Sequence, residues 1–349
     1  METYSVELAA SLSEHFDVRP WVLDGNEDGS PPGLLRYAWF LAGAMAYCLW
    51  RGRRFGRVVF TDLILFPAAV CHWLVAPRAK RVVVVHGLDL VYQRRKGALS
   101  RAYALFFALF RTCQGVFSAI VANSRNTAAI ATAAGLRRVA AINPSLPRNA
   151  LTQAHGASAP LPAAWPVTGR RILCFGRLVP RKGALWFARN VMPSLPPDCV
   201  FVVAGQATDA EYSRELERSA RTVCLGRVAS AQLATLIQAA DVVVMPNIAT
   251  PESVDVEGFG LAAIEATALG GRLLASSIDG LTDAVIDGVT GRLVPAADAA
   301  AWHDAIMSSL QLPTTDVAAM RTLAAEATRE RFSRQRQLEQ FLCLLDTTQ

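Results

Sequence analysis

No C-x-x-C pair occurs in this chain, and its seven cysteines (Cys48, Cys71, Cys113, Cys174, Cys199, Cys224 and Cys343) are scattered. Most sit in apolar runs, which excludes a disulfide framework and leaves reduced core thiols in a cytosolic protein as the expectation. The five histidines are equally dispersed and give no zinc pattern. No apolar run reaches the ~20 residues that span a bilayer. The two longest, Leu34–Trp50 and Ala98–Phe117, contain or abut arginine and are expected as buried crossover helices. The tryptophan, tyrosine and arginine at their ends would also suit a helix lying on a membrane. Met1 leads directly into METYSVELAASLSEHF, an amphipathic-helix pattern, so no signal peptide is expected.

Acid is scarce in one place. Between Arg51 and Arg138, fifteen basic residues face only Asp62 and Asp89, whereas the second half of the chain is slightly acidic. A face of this kind suits an anionic partner such as a membrane surface or a lipid phosphate; a merely solvated basic surface is the plain alternative. Nucleic acid is not expected, because no binding motif accompanies the charge.

Present in quantity are short Val/Ile/Leu runs bounded by Gly, Pro or Asn. In the first half they predict strands at 18–23, 57–60, 81–87, 115–123 and 138–143. In the second half they predict strands at 170–176, 199–205, 221–226, 241–246, 271–276 and 291–295. Helical stretches of ten to fifteen residues between them imply parallel βαβ units. The fold class is therefore α/β, with two Rossmann-like doubly wound domains facing a cleft. We place them at 1–153 and 171–315, joined by a Pro/Ala/Gly-rich linker at 154–170, with a helical tail at 316–349.

The most informative stretch is PESVDVEGFGLAAIEATALGG, from Pro251 to Gly271. Gly258 and Gly260 permit a sharp turn and let a ligand approach bare N–H groups. The helix that starts near Leu261 points its positive end at the same spot, which suits a phosphate or a polar sugar. Glu257 lies in the mouth of this turn. Glu265, eight residues on, lies deeper, where an ionised carboxylate needs partners such as ribose hydroxyls. Taken alone, the stretch could be an ordinary helix start with two unremarkable glutamates.

Other blocks stand in register with it. FGRLVPRKG (Phe175–Gly183), LGRV (Leu225–Val228), ADVVVMP (Ala240–Pro246) and DGLTDAVIDGVTGRLV (Asp279–Val294) follow the order found in family 4 glycosyltransferases of the GT-B fold. The chain resembles that E-x7-E family over nearly its whole length, most strongly from Arg171 to Pro295. VVVVHGLD (Val82–Asp89) and VANSRNTA (Val121–Ala128) are weaker matches. The resemblance implies that Arg177 and Lys182 clamp a donor diphosphate, with Gly176 in the same donor loop; Arg181 is expected as a solvated surface charge. It places Gly226, Arg227 and Val228 along the nucleobase and His86 near the reacting carbon of the donor sugar, with Asp89 either orienting it or serving in a turn. Glu257 would bind sugar hydroxyls, the N–H groups of Gly258, Phe259, Gly260 and Leu261 would hold sugar and phosphate, and Glu265 would take the ribose. His86, Arg177, Lys182 and Glu257 are the catalytic candidates. The family retains anomeric configuration by front-side displacement, without metal, and its C-terminal helix crosses back to the first domain.

Two departures stand beside the glutamates: Ala268-Leu269-Gly270-Gly271-Arg272-Leu273 and Asp279-Gly280-Leu281-Thr282-Asp283 both differ from the usual family pattern. A first strand and a Gly-Gly loop expected before ETYSVELAASL are also missing. Either the start lies upstream of Met1, which we favour, or the first domain is trimmed. The expected function is a retaining glycosyltransferase. Its donor would be a UDP- or GDP-linked sugar, with no other cofactor, and its acceptor a glycan or lipid-linked molecule. It would act in the cytoplasm at the inner face of the membrane, with peripheral contact through the basic first domain, in surface polysaccharide or glycolipid synthesis. The alternative is a GT-B protein that binds donor without turnover. A nicotinamide-dependent dehydrogenase is disfavoured, because GFGLAA lies too late in the chain to be a first-strand dinucleotide loop.

Overall fold

Short valine-rich segments become parallel strands here, the inner strands of each sheet buried on both faces and the edge strands only partly buried. The computed structural model describes residues 2–23, 25, 33–148, 150, 159–207, 209–250 and 255–346. It divides the chain into one unit of Met1–Asn143 with Arg334–Gln349 and a second of Pro144–Ser333.

The first unit contains helices α1 (Glu2–Leu12), α2 (Leu34–Arg51), α3 (Phe66–Val75), α4 (Gly87–Val91), α5 (Ala98–Cys113) and α6 (Arg125–Ala133). Its four-stranded parallel sheet has the order β1-β2-β3-β4, with β1 at Arg57–Phe60, β2 at Lys80–Val85, β3 at Ala119–Ala122 and β4 at Val139–Ala141. Strand alternation splits β2 between two cores. Val83 and Val85 pack with Phe66, Leu90, Phe107 and Phe110 on one face. Val82 and Val84 pack with Tyr4, Leu8 and Leu12 of α1 on the other, together with Leu338, Phe341 and Leu345 from the far end of the chain.

The second unit has a six-stranded parallel sheet in the order β10-β9-β8-β5-β6-β7. The strands are β5 (Arg170–Phe175), β6 (Cys199–Ala204), β7 (Thr222–Gly226), β8 (Val242–Met245), β9 (Leu273–Ser276) and β10 (Arg292–Val294). Helices α7 (Ala184–Asn190), α8 (Ala210–Glu217), α9 (Ser230–Ala239), α10 (Leu261–Ala268), α11 (Leu281–Ala284), α12 (Ala299–Leu310) and α13 (Thr314–Arg331) flank it. Strand β5 is bonded to β6 on one side and β8 on the other, so the winding reverses between β5 and β8. In such sheets the carboxyl ends at the reversal form a ready-made crevice.

Several expectations need correction. Val18–Leu23 is not a strand. Pro20 has no N–H for a ladder, and Trp21 stacks on Tyr47 of α2 with ring centroids 5.0 Å apart. The two apolar helices are not buried crossovers: α2 buries only Ala44, and α5 buries Ser100, Phe107 and Phe110. The helical tail is shared out rather than crossing back whole. α13 stays with the second unit, where Thr328 Oγ1 donates to Thr267 Oγ1 at 3.0 Å and Arg329 donates to the Ala268 carbonyl at 2.7 Å. Only α14 (Arg334–Asp346) belongs to the first unit, tied by Arg57 to Asp346 at 2.7 Å and by Arg334 to Glu14 at 2.9 Å. The division falls at Asn143/Pro144, ahead of the stretch at 154–170 assigned as linker, of which 154–158 lie outside the described residues.

Candidate active site

The carboxyl ends of β5 and β8 are brought together by a glycine. Gly183 has φ +71° and closes a single 3-10 turn, Pro180–Lys182. A Cβ there would run into the Pro246 carbonyl at the end of β8, so only glycine permits the approach. The Ile248 N–H then donates to the Arg181 carbonyl at 3.0 Å. This turn aims two consecutive cations at one carboxylate: Arg181 Nη1 and Lys182 Nζ both lie 2.5 Å from Glu257 Oε2. Asn247 Nδ2 donates to the same oxygen at 3.1 Å.

Glu257 is 12 % exposed. Burial alone would push its carboxyl up, but Lys182 and Arg181 outweigh that effect and hold it at about 2. Its backbone is fixed as well. The Glu257 N–H donates to Asp279 Oδ2 at 3.1 Å, and the Gly280 N–H donates to the Glu257 carbonyl at 3.0 Å. Gly280 packs directly on Gly258 and Phe259, leaving no room for a side chain. The Asp279-Gly280 departure from the family pattern is therefore the buttress of the Glu257 turn.

Gly260, at φ +101°, caps α10, and a Cβ there would run into Leu281. Phe259 is buried edge-on to Phe332 at 5.5 Å, so its ring belongs to the core and only its backbone faces the turn. Because α10 begins at Leu261, Glu257 lies in the loop before it and a single helical turn separates that start from Glu265. Burial raises the Glu265 carboxyl to about 7 against the opposing charge of Lys182, and it makes no hydrogen bond among the described residues. A partly buried acid of this kind lacks the hydroxyl or N–H donors that would keep it ionised.

The structure thus brings Lys182, Glu257, Gly258, Phe259, Gly260, Leu261 and Glu265 to one end of the sheet. Gly176 follows β5 directly, and a Cβ at Gly205 would collide with its carbonyl. Arg177 is exposed, without a side-chain partner among the described residues. Gly226, at φ +65°, ends β7 at the sheet edge, with Arg227 exposed and Val228 half-buried beyond it. Sequence reading missed Arg181, Asn247 and Asp279. Arg181 is not a solvated neighbour but the second cation on Glu257. The strand-end position of Asn247, directly after ADVVVMP, was the available signal.

His86 stands in the first unit, at the carboxyl end of β2. A carbonyl can only accept, so Nε2–H donates to Thr61 O at 3.1 Å, which leaves Nδ1 to accept from Asn123 Nδ2 at 3.4 Å. Burial lowers the ring to about 4, with the Thr61 bond opposing, so it is neutral near pH 7. Tyr4 meets it edge-on at 5.5 Å. Asp89 Oδ2 accepts the His86 N–H at 2.7 Å and so fixes the backbone of the strand end rather than the ring. A surface hollow elsewhere in this unit, beside Arg111, Arg137 and Arg138, holds none of these groups.

Residues 169–311 match the family model described as glycosyl transferases group 1. Among curated proteins, the D-inositol 3-phosphate glycosyltransferase of Mycolicibacterium paratuberculosis is 41% identical over 116 residues, which is 33% of this chain and 25% of that protein. The Mycobacterium tuberculosis enzyme of the same name is 34% identical over 155 residues, covering 42% of this chain and 31% of that protein. The chain thus spans between a quarter and a third of the length of these curated relatives. Among solved structures, Anabaena HepE in complex with UDP and glucose aligns with a TM-score of 0.64 at 19% identity, over 91% of this chain and 84% of that one. Sucrose-phosphate synthase from Thermosynechococcus elongatus aligns with a TM-score of 0.67 at 19% identity, over 97% and 90%. The fold is that of the GT-B glycosyltransferases, and the match to the group 1 model lies within the second unit.

Proposed function

We propose that this chain is a retaining, metal-independent glycosyltransferase of the E-x7-E type in family 4, and that it uses a nucleotide-sugar donor. The observation that carries the reading is the Lys182–Glu257–Arg181 cluster at the winding reversal, set against the amino end of α10. Lys182 leaves Glu257 to neutralise the donor diphosphate, joined by the exposed Arg177. Arg181 stays behind as the counter-ion of Glu257, whose oxygens accept hydroxyls of the sugar. The backbone around Gly258–Leu261 holds sugar and phosphate, and ribose hydroxyls supply the donors that Glu265 lacks. Charge developing on the leaving diphosphate meets fixed cations and N–H groups, so the rate gain comes from preorganisation rather than a covalent nucleophile. HepE has been solved with UDP-glucose and with UDP, which favours a uridine donor over a guanosine one.

The donor-sugar contact that the resemblance implies for His86 falls to Nδ1, where a sugar hydroxyl would replace the longer Asn123 bond. The acceptor we propose is a glycan or a lipid-linked molecule, met at the inner membrane face through the basic first unit, in surface polysaccharide or glycolipid synthesis.

A thermal-shift series of the full chain with UDP, GDP, ADP and their sugars tests the donor site. Stabilisation by one nucleotide, lost in Lys182→Ala and in Glu265→Gln, is expected. No shift with any of them would overturn the reading. Binding without sugar release or transfer would establish the alternative, a GT-B protein that holds donor without turnover.

A further inference from the structure

Helix α2 presents an entire apolar face to solvent. Leu35, Ala38, Trp39, Ala42, Ala46, Leu49 and Trp50 are all exposed, and their spacing of three or four residues lines them up along one side of the helix. Leu35, Trp39 and Trp50 are 79%, 78% and 74% exposed. The opposite side is occupied, since α2 lies against α3 and Trp21 stacks on Tyr47 along its flank. A contiguous run of this length, uninterrupted by any polar residue, is what soluble surfaces avoid unless something docks there.

Charge selects the occupant. Between Gly33 and Thr61 the chain carries Arg36, Arg51, Arg53, Arg54 and Arg57 and no acidic residue. Arg53 and Arg54 are exposed in the turn that ends α2, and the Arg51 guanidinium lies 4.0 Å from the Trp50 ring centroid. A second copy of the same face would bring like charges together. No helix of the described residues is long and apolar enough to cross a membrane, so α2 is not a span. Two indoles beside arginines, on a helix with an uncharged outward side, fit the boundary between headgroups and acyl chains.

We infer that the outward face of α2 is a docking surface for an anionic lipid bilayer. Leu35, Trp39, Leu49 and Trp50 enter the acyl boundary, while Arg51, Arg53 and Arg54 meet lipid phosphates. This names the element behind the membrane contact proposed above and does not depend on the donor chemistry. Helix α5, packed on the same face of the sheet, also exposes Leu99, Leu105 and Leu109 and carries no acid.

The test is sedimentation of the full chain with vesicles of phosphatidylcholine alone or with roughly 30% phosphatidylglycerol. Wild type is expected to sediment with the anionic vesicles and not with the neutral ones, and to be released by salt. Trp39→Ser with Trp50→Ser should weaken partitioning about tenfold, as should Arg51→Gln, Arg53→Gln and Arg54→Gln together. Both variants should keep the wild-type melting temperature and nucleotide shift, which separates failure here from failure of the donor site. The inference is overturned if anionic vesicles capture nothing. It is equally overturned if the tryptophan variant binds as well as wild type, or if α2 instead mediates a concentration-dependent dimer that the tryptophan variant abolishes.

Discussion

Arg181 Nη1 lies 2.5 Å from Glu257 Oε2 across 76 residues of sequence. Lys182 shares that oxygen in the donor-free site. In the proposed donor complex Lys182 turns to the diphosphate, which leaves Arg181 as the one cation on a buried carboxylate, and an uncompensated one would be costly. Arg181→Gln should therefore weaken donor binding about tenfold, or ~1.4 kcal/mol, by calorimetry. Loss of one cation also lifts the Glu257 carboxyl from about 2, so binding should fall off at a higher pH than in wild type. Arg181→Lys should restore most of both. Unchanged affinity and pH profile in the glutamine variant would remove Arg181 from the site.

Glu265 gives a pH signature of the opposite sign. Its folded carboxyl is raised from 4.5 to about 7, so between those values the folded state holds a proton that the unfolded state has lost. Stability of the donor-free protein should fall as pH rises through this window and then level off, by up to about 3 kcal/mol. In Glu265→Gln that decline should vanish, so the variant melts higher than wild type at pH 8 and equally at pH 4.5. Donor binding to wild type should strengthen as pH rises through about 7. Differential scanning calorimetry across pH checks the stability half, and titration calorimetry checks the binding half.

Gly183 and Gly270 separate crowding from backbone strain. Both have positive φ, but a Cβ at Gly183 meets the Pro246 carbonyl, whereas one at Gly270 meets nothing within 4 Å. Gly270→Ala should cost ~1 kcal/mol from its conformation alone. Gly183→Ala should cost at least about 2 kcal/mol and lower the nucleotide affinity too, because it pushes the β5 turn away from β8. Parallel urea titrations and nucleotide binding of the two variants check this.

Much of this architecture could be read from residue order. The four inner strands of the second unit follow from apolar runs rich in Val and Leu, since a strand buried on both faces has little other composition open to it, and the two edge strands stand beside them. Four of the five expected in the first unit stand as well. Val18–Leu23 failed because apolar character shows that a segment seeks a partner without showing which one, and Trp21 found α2. The same gap explains α2 itself, whose hydropathy predicted burial that the fold does not provide. At the site, the blocks around Lys182 and Glu257 mark loops that the structure brings side by side. They did not give side-chain direction: the turn at Pro180–Lys182 swings Arg181 inward and leaves Arg177 outside. Nor could periodicity reveal that both nitrogens of His86 are already committed to Thr61 and Asn123.

The placement of α14 bears on how the chain comes into being. Leu338, Phe341 and Leu345 complete a core begun by Tyr4, Leu8 and Leu12, yet every residue of the second unit is polymerised between them. On a ribosome that emits residues from the amino end, the second unit can close its core while the first still lacks one wall. A core begun before the second unit is made is thus finished after it, and until Arg334–Asp346 emerges, the apolar side of α1 and β2 has to be kept from other nascent chains.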